Sequence, residues 1–284
     1  MDSVCCLEQP IIRAIENNSS SSSDVRNTNI TITSSNQGIG LYNPGSGTLT
    51  ASGGFVSSQG TTNFGMYIEG NGSIVSENIN YTITGSNDAR IAHSAGGAIT
   101  YQGGTSTISG PTSYCLSGSG NLSMLSGSCT ISSSTTAYGI LSTSRNVIYR
   151  NATMNITASG TAYGIKNEAG NATIESGSII VHASTAYGAH MTNGEMTYGI
   201  EDGSGSQQGD ISTEYPHIEA IGSTSGIGSS MGNGTLNFYD GKIIGSTRAR
   251  AEGDITSAVE HNYQVVTKTD EETGYQYCIL EFIM

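Results

Sequence analysis

Apolar side chains along this chain come in pairs two residues apart, and the pairs return at a near-constant interval. In the stretch 162–181, Tyr163 and Ile165 form one pair, Ala172 and Ile174 a second, and Ile179 and Val181 a third. Spacing of i, i+2 puts both side chains on one face of a strand. Asn167, Gly170, Asn171, Ser176 and Gly177 fall between the pairs, and Gly and Asn tolerate the backbone angles of tight turns. No apolar stripe of helical period runs over three turns. The pattern predicts three short strands per unit and no helix.

The unit repeats. T-A-Y-G-I stands at 136–140 and 161–165 and T-A-Y-G-A at 185–189, so Tyr138, Tyr163 and Tyr187 lie 25 and 24 residues apart. A fixed period of this size marks a repeat architecture. Three apolar ladders extend it. The first reads Ile39, Met66, Ile91, Leu116, Ile140, Ile165, Ala189 and Ile227. The second reads Leu49, Ile74, Ile99, Met124, Ile148, Ile174 and Leu236. The third reads Ile83, Ile108, Ile131, Ile156 and Val181. Val147 and Ile180 fall out of phase and read as exposed. A strand this short cannot bury its face alone, whereas coils stacked in parallel about 4.7–4.9 Å apart can. The predicted fold is all-β: a parallel β-helix of about 25 residues and three strands per coil, right-handed by the usual sense of β-crossovers.

Residues 1–26 lie outside the repeat and read as an N-terminal cap or linker. Residues 27–256 read as the β-helix, with an insertion at about 201–220 where the first ladder takes a step of 38 residues, from Ala189 to Ile227. Residues 257–284 read as a C-terminal β-hairpin cap around D-E-E-T-G at 270–274.

Charge narrows the partners. Only 12% of residues are charged and the net charge is −13, which disfavours nucleic acid and anionic membrane surfaces. No apolar run is long enough to insert in a membrane. No basic segment followed by an apolar core opens the chain, and no anchor motif is found, so it reads as carrying neither signal peptide nor anchor. Five Cys residues without a C-x-x-C give neither a zinc site nor a disulfide framework. Cys129 aligns with Met154 and Ile179 and reads as a small buried apolar residue.

Repeats of the form Y-G-I-x-N-x-x-G-x-x-T-I-x-x-G-x-I, closed by G-T-L-N-F-Y-D-G-K-I-I-G at 234–245, resemble the β-helical repeat regions of large cell-surface proteins of Gram-positive bacteria. They are also similar to the wider adhesin-like and pectin-lyase-like β-solenoids. The resemblance covers about 35–246. It implies a cell-surface or extracellular setting and an adhesive role, with a glycan or protein surface ligand as partner.

Candidate chemistry gathers at Glu195, Glu201, Asp202, Asp210, Glu214, His217 and Glu219. Glycan hydrolysis needs two carboxylates flanking the scissile bond, so a polysaccharide hydrolase or lyase in the 195–219 region is the alternative reading, with Asp202, Asp210 and Glu214 as its carboxylates. The same three are an alternative Ca²⁺ set, since calcium takes hard oxygen ligands; no other cofactor is expected. No Lys or Arg lies between Lys166 and Lys242, which counts against a lyase. The plainer reading is a solvated acidic loop and no catalytic or metal site. His182 and His190 read as isolated imidazoles rather than a metal pair. The Tyr row reads as a stack on itself, with sugar stacking as the alternative. T-I-T, T-L-T and T-S-T at 31–33, 48–50 and 105–107 suggest Thr-x-Thr rows that break in the central coils. The leading expectation is a non-catalytic structural or adhesive module presenting a repetitive face.

Overall fold

The structure is a computed structural model that describes residues 4–6, 11–200, 215–250, 256–259 and 263–283, with only the backbone at 4–6, 256–259 and 282. The 20 strands among the described residues join into one hydrogen-bonded sheet that winds through stacked coils, a β-solenoid of about nine turns. Nearly every pairing is parallel. One coil shows the plan. Val147–Tyr149 lies on a narrow face, Ala152–Ala158 on a second and Thr161–Asn167 on a third.

Parallel stacking starts before the recognisable repeat. Val4–Cys6 pairs with Ile30 to Ile32, and Ile11–Glu16 pairs with the strand Gln37–Asn43. Pro216–Phe238 resumes the register after residue 200, with Ile218 on Ile179 and Ala220 on Val181. Residues 216–220, expected inside the insertion, therefore belong to a rung. At the other end Tyr263–Thr269 and Gln276–Phe282 form the expected hairpin. Its second strand pairs antiparallel with Lys242–Gly245, which occupies part of a sheet edge that would otherwise template further pairing.

The third ladder is continuous: Ile83, Ile108, Ile131, Ile156 and Val181 each sit on the next. Cys129 lies between Ser106 and Met154, fully buried, as the alignment required. The first ladder is right from Leu116 to Ala189 and wrong at its ends. Met66 lies on Leu41, not Ile39, and is followed by Ala92, not Ile91; Ile227 lies on Tyr187. Two successive residues face inward at this bend. A Cβ on Gly139 would meet core atoms of Met154 and Ile156 at 2.8 and 2.9 Å, while its neighbour Ile140 is also fully buried. An apolar residue at either position fits the pattern.

The second ladder crosses between two inward columns. Leu49, Ile74, Ile99, Leu122, Val147, Ala172, Met196 and Leu236 form one. Tyr101, Met124, Tyr149, Ile174, Tyr198 and Phe238 form the other. Val147, expected exposed, is 1% exposed, whereas Ile148, expected in the core, is 37% exposed. Two apolar columns two residues apart give the sequence no means of choosing between them.

The hydroxyls of the fully buried tyrosines are matched. The hydroxyls of Tyr81, Tyr101 and Tyr198 meet Ser76, Ser106 and Ser229, and that of Tyr149 faces the carbonyls of Ala152 and Ser178. Burying a Tyr ring contributes its apolar area only while the hydroxyl finds a partner. Asn ladders secure the turns: the Asn146 amide donates to the Asn121 side chain, and the Asn171 amide to Asn146.

Candidate functional site

Two outward faces carry chemistry. On the face that contains Thr161–Asn167, Tyr114, Tyr138, Tyr163 and Tyr187 stack in one row, with centroids 4.9, 5.3 and 4.8 Å apart and planes within 7°. Their half-buried rings turn their faces to one another and their edges outward. The Arg90 guanidinium lies 4.2 Å from the Tyr114 centroid and covers the near end; Ile227 is next in register at the other. A sugar stacks on a ring face, and these faces are occupied, so the row acts as a strut. Upstream on the same face, Ile39, Tyr42 and Phe64 form a second apolar cluster with Tyr67 packed against it. There His93 stacks on Tyr67 and accepts a hydrogen bond at Nδ1 from Arg90 at 3.0 Å. A guanidinium can only donate, so this ring is neutral. Burial and Arg90 hold its pKa down to about 4.

The face that contains Ala152–Ala158 is different in kind. Outward residues alternate with the Ile ladder and align in three columns. The middle one runs Thr31, Ser57, Thr82, Thr107, Thr130 and Asn155; its neighbour runs Thr33, Gln59, Thr84, Ser109, Ser132 and Thr157. The third begins with Asn29, Phe55 and, after Asn80, Thr105, Ser128 and Thr153. Apart from the exposed Phe55, six successive rungs thus present hydroxyl and amide groups, with no charged side chain among them. Rungs repeat about every 4.8 Å and outward residues about every 6.6 Å along each strand. Thr82, Thr84, Thr107, Ser109, Thr130 and Ser132 line a shallow groove of about 210 Å³. Thr48 and Thr50, expected in the same rows, lie elsewhere, paired with Ser73 and Val75 on the narrow face.

The three columns then change character without changing face. The next rung presents Ser178, Ile180 and His182, the one after it His217, Glu219 and Ile221, and the last Lys242 and Ile244. Tyr277 of the closing hairpin pairs with Ile244. Glu219, Ile221, Lys242 and Ile244 form one wall of a cleft of about 250 Å³, and Asp270, Thr273, Tyr275 and Tyr277 form the other. The His217 and His182 rings each place Nε2 3.7 Å from a different Glu219 oxygen. This is ion-pair range but beyond a hydrogen bond. His217 holds the Glu219 carboxyl below its usual range; His182 adds to this and partial burial opposes it. The His217 side chain is only 4% exposed, and neither ring nitrogen has a hydrogen-bond partner. Lys242 lies 4.9 Å from the Tyr277 ring centroid. Asp270 accepts from the backbone and hydroxyl of Thr273, which hold its pKa down.

Of the sequence candidates, His217 and Glu219 come together, and His182 joins them. Glu195 does not: it lies on the narrow face in register with Asn171 and Thr235, held by Asn237 at 2.6 Å. Glu201, Asp202, Asp210 and Glu214 lie outside the described residues. His190 packs against Tyr163 and Tyr187 on the tyrosine face, apart from His182. Among the described residues no group of three or more His, Cys, Asp or Glu is arranged to hold a metal ion. Sequence reasoning missed Lys242, Asp270, Tyr275 and Tyr277. The gap in basic residues between Lys166 and Lys242 is a gap in sequence only, since Lys242 sits directly on His217. The available signal was G-K-I-I in phase with the Ile ladder, followed by a hairpin able to fold back on it.

No protein family, curated protein sequence or solved structure matches the chain.

Proposed function

We propose that this chain is a non-catalytic structural or adhesive module that presents its hydroxyl face to a glycan or protein surface. One observation carries the reading: the uncharged ladder of Thr, Ser, Asn and Gln side chains over six rungs. Each hydroxyl both donates and accepts, so such an array matches a ligand whose own groups do both. Single contacts of this kind are weak, and a repeated array on a rigid rod gains through multiplicity. A bacterial cell-surface or secreted setting fits the resemblance of the repeat and of its closing G-T-L-N-F-Y-D-G-K-I-I-G; protease treatment of intact cells, which removes a surface protein and spares an internal one, tests it.

The adhesive reading is tested with the whole chain on surfaces coated with neutral polysaccharides or host proteins. Retention of the wild type, and its loss in Thr107→Glu/Thr130→Glu, is the expected result. Ser123→Glu/Thr173→Glu on the narrow face should leave retention intact. Equal retention of both variants, or none of the wild type on any surface, rejects the reading.

A second reading, a polysaccharide hydrolase or lyase, is favoured by Glu219, Asp270 and Lys242 lining one cleft. Release of reducing ends or unsaturated products that disappears in Glu219→Gln, or on changing Asp202 or Asp210 to Ala, would support it. Uniform inactivity on pectins and host glycans would dismiss it.

A further inference from the structure

We propose that the cleft between the last rungs of the hydroxyl face and the C-terminal hairpin binds one neutral pyranose unit, the end of a glycan chain lying along that face. The inference rests on the adhesive reading and adds a ligand class and a subsite to it.

The charges in the cleft disfavour an acidic ligand and place both acceptors and a donor in its walls. Glu219 and Asp270 can only accept hydrogen bonds when ionised, and together with a net charge of −13 they repel an acidic sugar or a phosphate. Lys242 lies over the Tyr277 ring and adds an ammonium donor to a lining that otherwise accepts. A neutral ligand rich in groups that donate to carboxylates and accept from an ammonium matches this lining, and sugar hydroxyls do both. Ile221 and Ile244 with Tyr275 supply apolar and aromatic surface for the C–H face of a ring. A volume of about 250 Å³ suits one ring rather than a chain.

His217 gives the independent sign that the site is built. A buried ring with two unpartnered nitrogens costs stability, yet this one is kept on the rung beside Glu219 and beneath Lys242. From there, as a positioning residue, it places Nε2 3.7 Å from one Glu219 oxygen. The columns supply the link to the rest of the face: Thr130, Asn155, Ile180, Glu219 and Ile244 are successive members of one ladder.

Calorimetric titration of the full chain tests the proposal. The neutral probes are methyl β-D-glucopyranoside, methyl β-D-galactopyranoside and methyl α-D-mannopyranoside, and the charged probes are D-glucuronate and putrescine. At least one neutral glycoside is expected to bind saturably, with a Kd on the order of 1 mM. Glu219→Ala and Tyr275→Ala should each weaken it about tenfold or more, and Ser123→Ala on the narrow face should not. Glu219 is outward, and unfolding midpoints check that the variants fold; should Glu219→Ala fail, Tyr275→Ala and Asp270→Asn carry the test. Saturable binding of no neutral probe, tighter binding of glucuronate or putrescine, or undiminished binding in both cleft variants overturns the proposal. Capture of the wild type and of Glu219→Ala alike on a polysaccharide surface would then leave the adhesive reading standing without this subsite. Failure of capture altogether would remove the adhesive reading itself.

Discussion

Val147 and Ile148 are neighbours with opposite environments, and truncating each gives a sharp test of the register. Val147 is 1% exposed in the column between Leu122 and Ala172; Ile148 is 37% exposed between Ser123 and Thr173. Val147→Ala deletes two buried methyl groups. The transfer contribution is about 0.8 kcal/mol per carbon, and a residual cavity raises the total to roughly 1.5–3 kcal/mol. Ile148→Ala deletes more atoms from a site already in contact with water and should cost less than about 1 kcal/mol. Urea unfolding followed by far-ultraviolet circular dichroism reads both. The two variants should share the wild-type slope, with the midpoint of Val147→Ala clearly lower. Because neighbouring coils support one another, the loss should appear as one shifted transition. A larger loss for Ile148→Ala would refute the assigned register and restore the ladder that places Ile148 inside.

Other outcomes follow from the same contacts. Gly164→Ala puts a Cβ 2.2 Å from the Gly188 carbonyl and 2.4 Å from Ile179, so it should destabilise by about 2 kcal/mol or more, read as a lower thermal midpoint. The His93 pKa is depressed to about 4 by burial and Arg90, so the unfolded chain takes up a proton that the folded one refuses. Stability should fall as pH drops from the ordinary His value of 6.5 toward 4, by roughly 1–2 kcal/mol between pH 7 and 5, and His93→Gln should flatten that part of the profile. The Glu219 pKa is also depressed, so its contribution is present above the ordinary carboxylate range and lost as pH falls through the lowered value; carbon-13 titration of the carboxyl should show a midpoint below 4.5. Tyr163→Ala removes the middle of the tyrosine stack; a double-mutant cycle with Tyr138→Ala should return about 0.5–1.5 kcal/mol of coupling.

The solenoid was legible because its physics is periodic. Ile108, Ile131 and Ile156 recur at one position in the coil, and parallel pairing turns equal spacing into contact. Columns were misread where periodicity two is broken or doubled: at Ile91 and Ala92, where consecutive residues both face inward, and at Val147 and Tyr149, where two apolar columns run side by side. The cleft was legible in half. His217 and Glu219 lie two apart on one strand and show as a pair, but Lys242 joins them one coil later and Asp270 and Tyr275 through a hairpin that reverses onto the rung. That proximity comes from how the solenoid ends, which no repeat encodes.

The choice between the two outward faces is settled most directly by hydroxyl-radical footprinting of the full chain with and without a neutral polysaccharide. Tyr275 and Tyr277 wall the cleft, whereas Tyr138 and Tyr163 belong to the strut, so tyrosine oxidation reports on both in one experiment. Protection of Tyr275 and Tyr277 with unchanged oxidation of Tyr138 and Tyr163 is the predicted result. Protection of Tyr138 and Tyr163 alone would place the ligand on the tyrosine face and contradict the account.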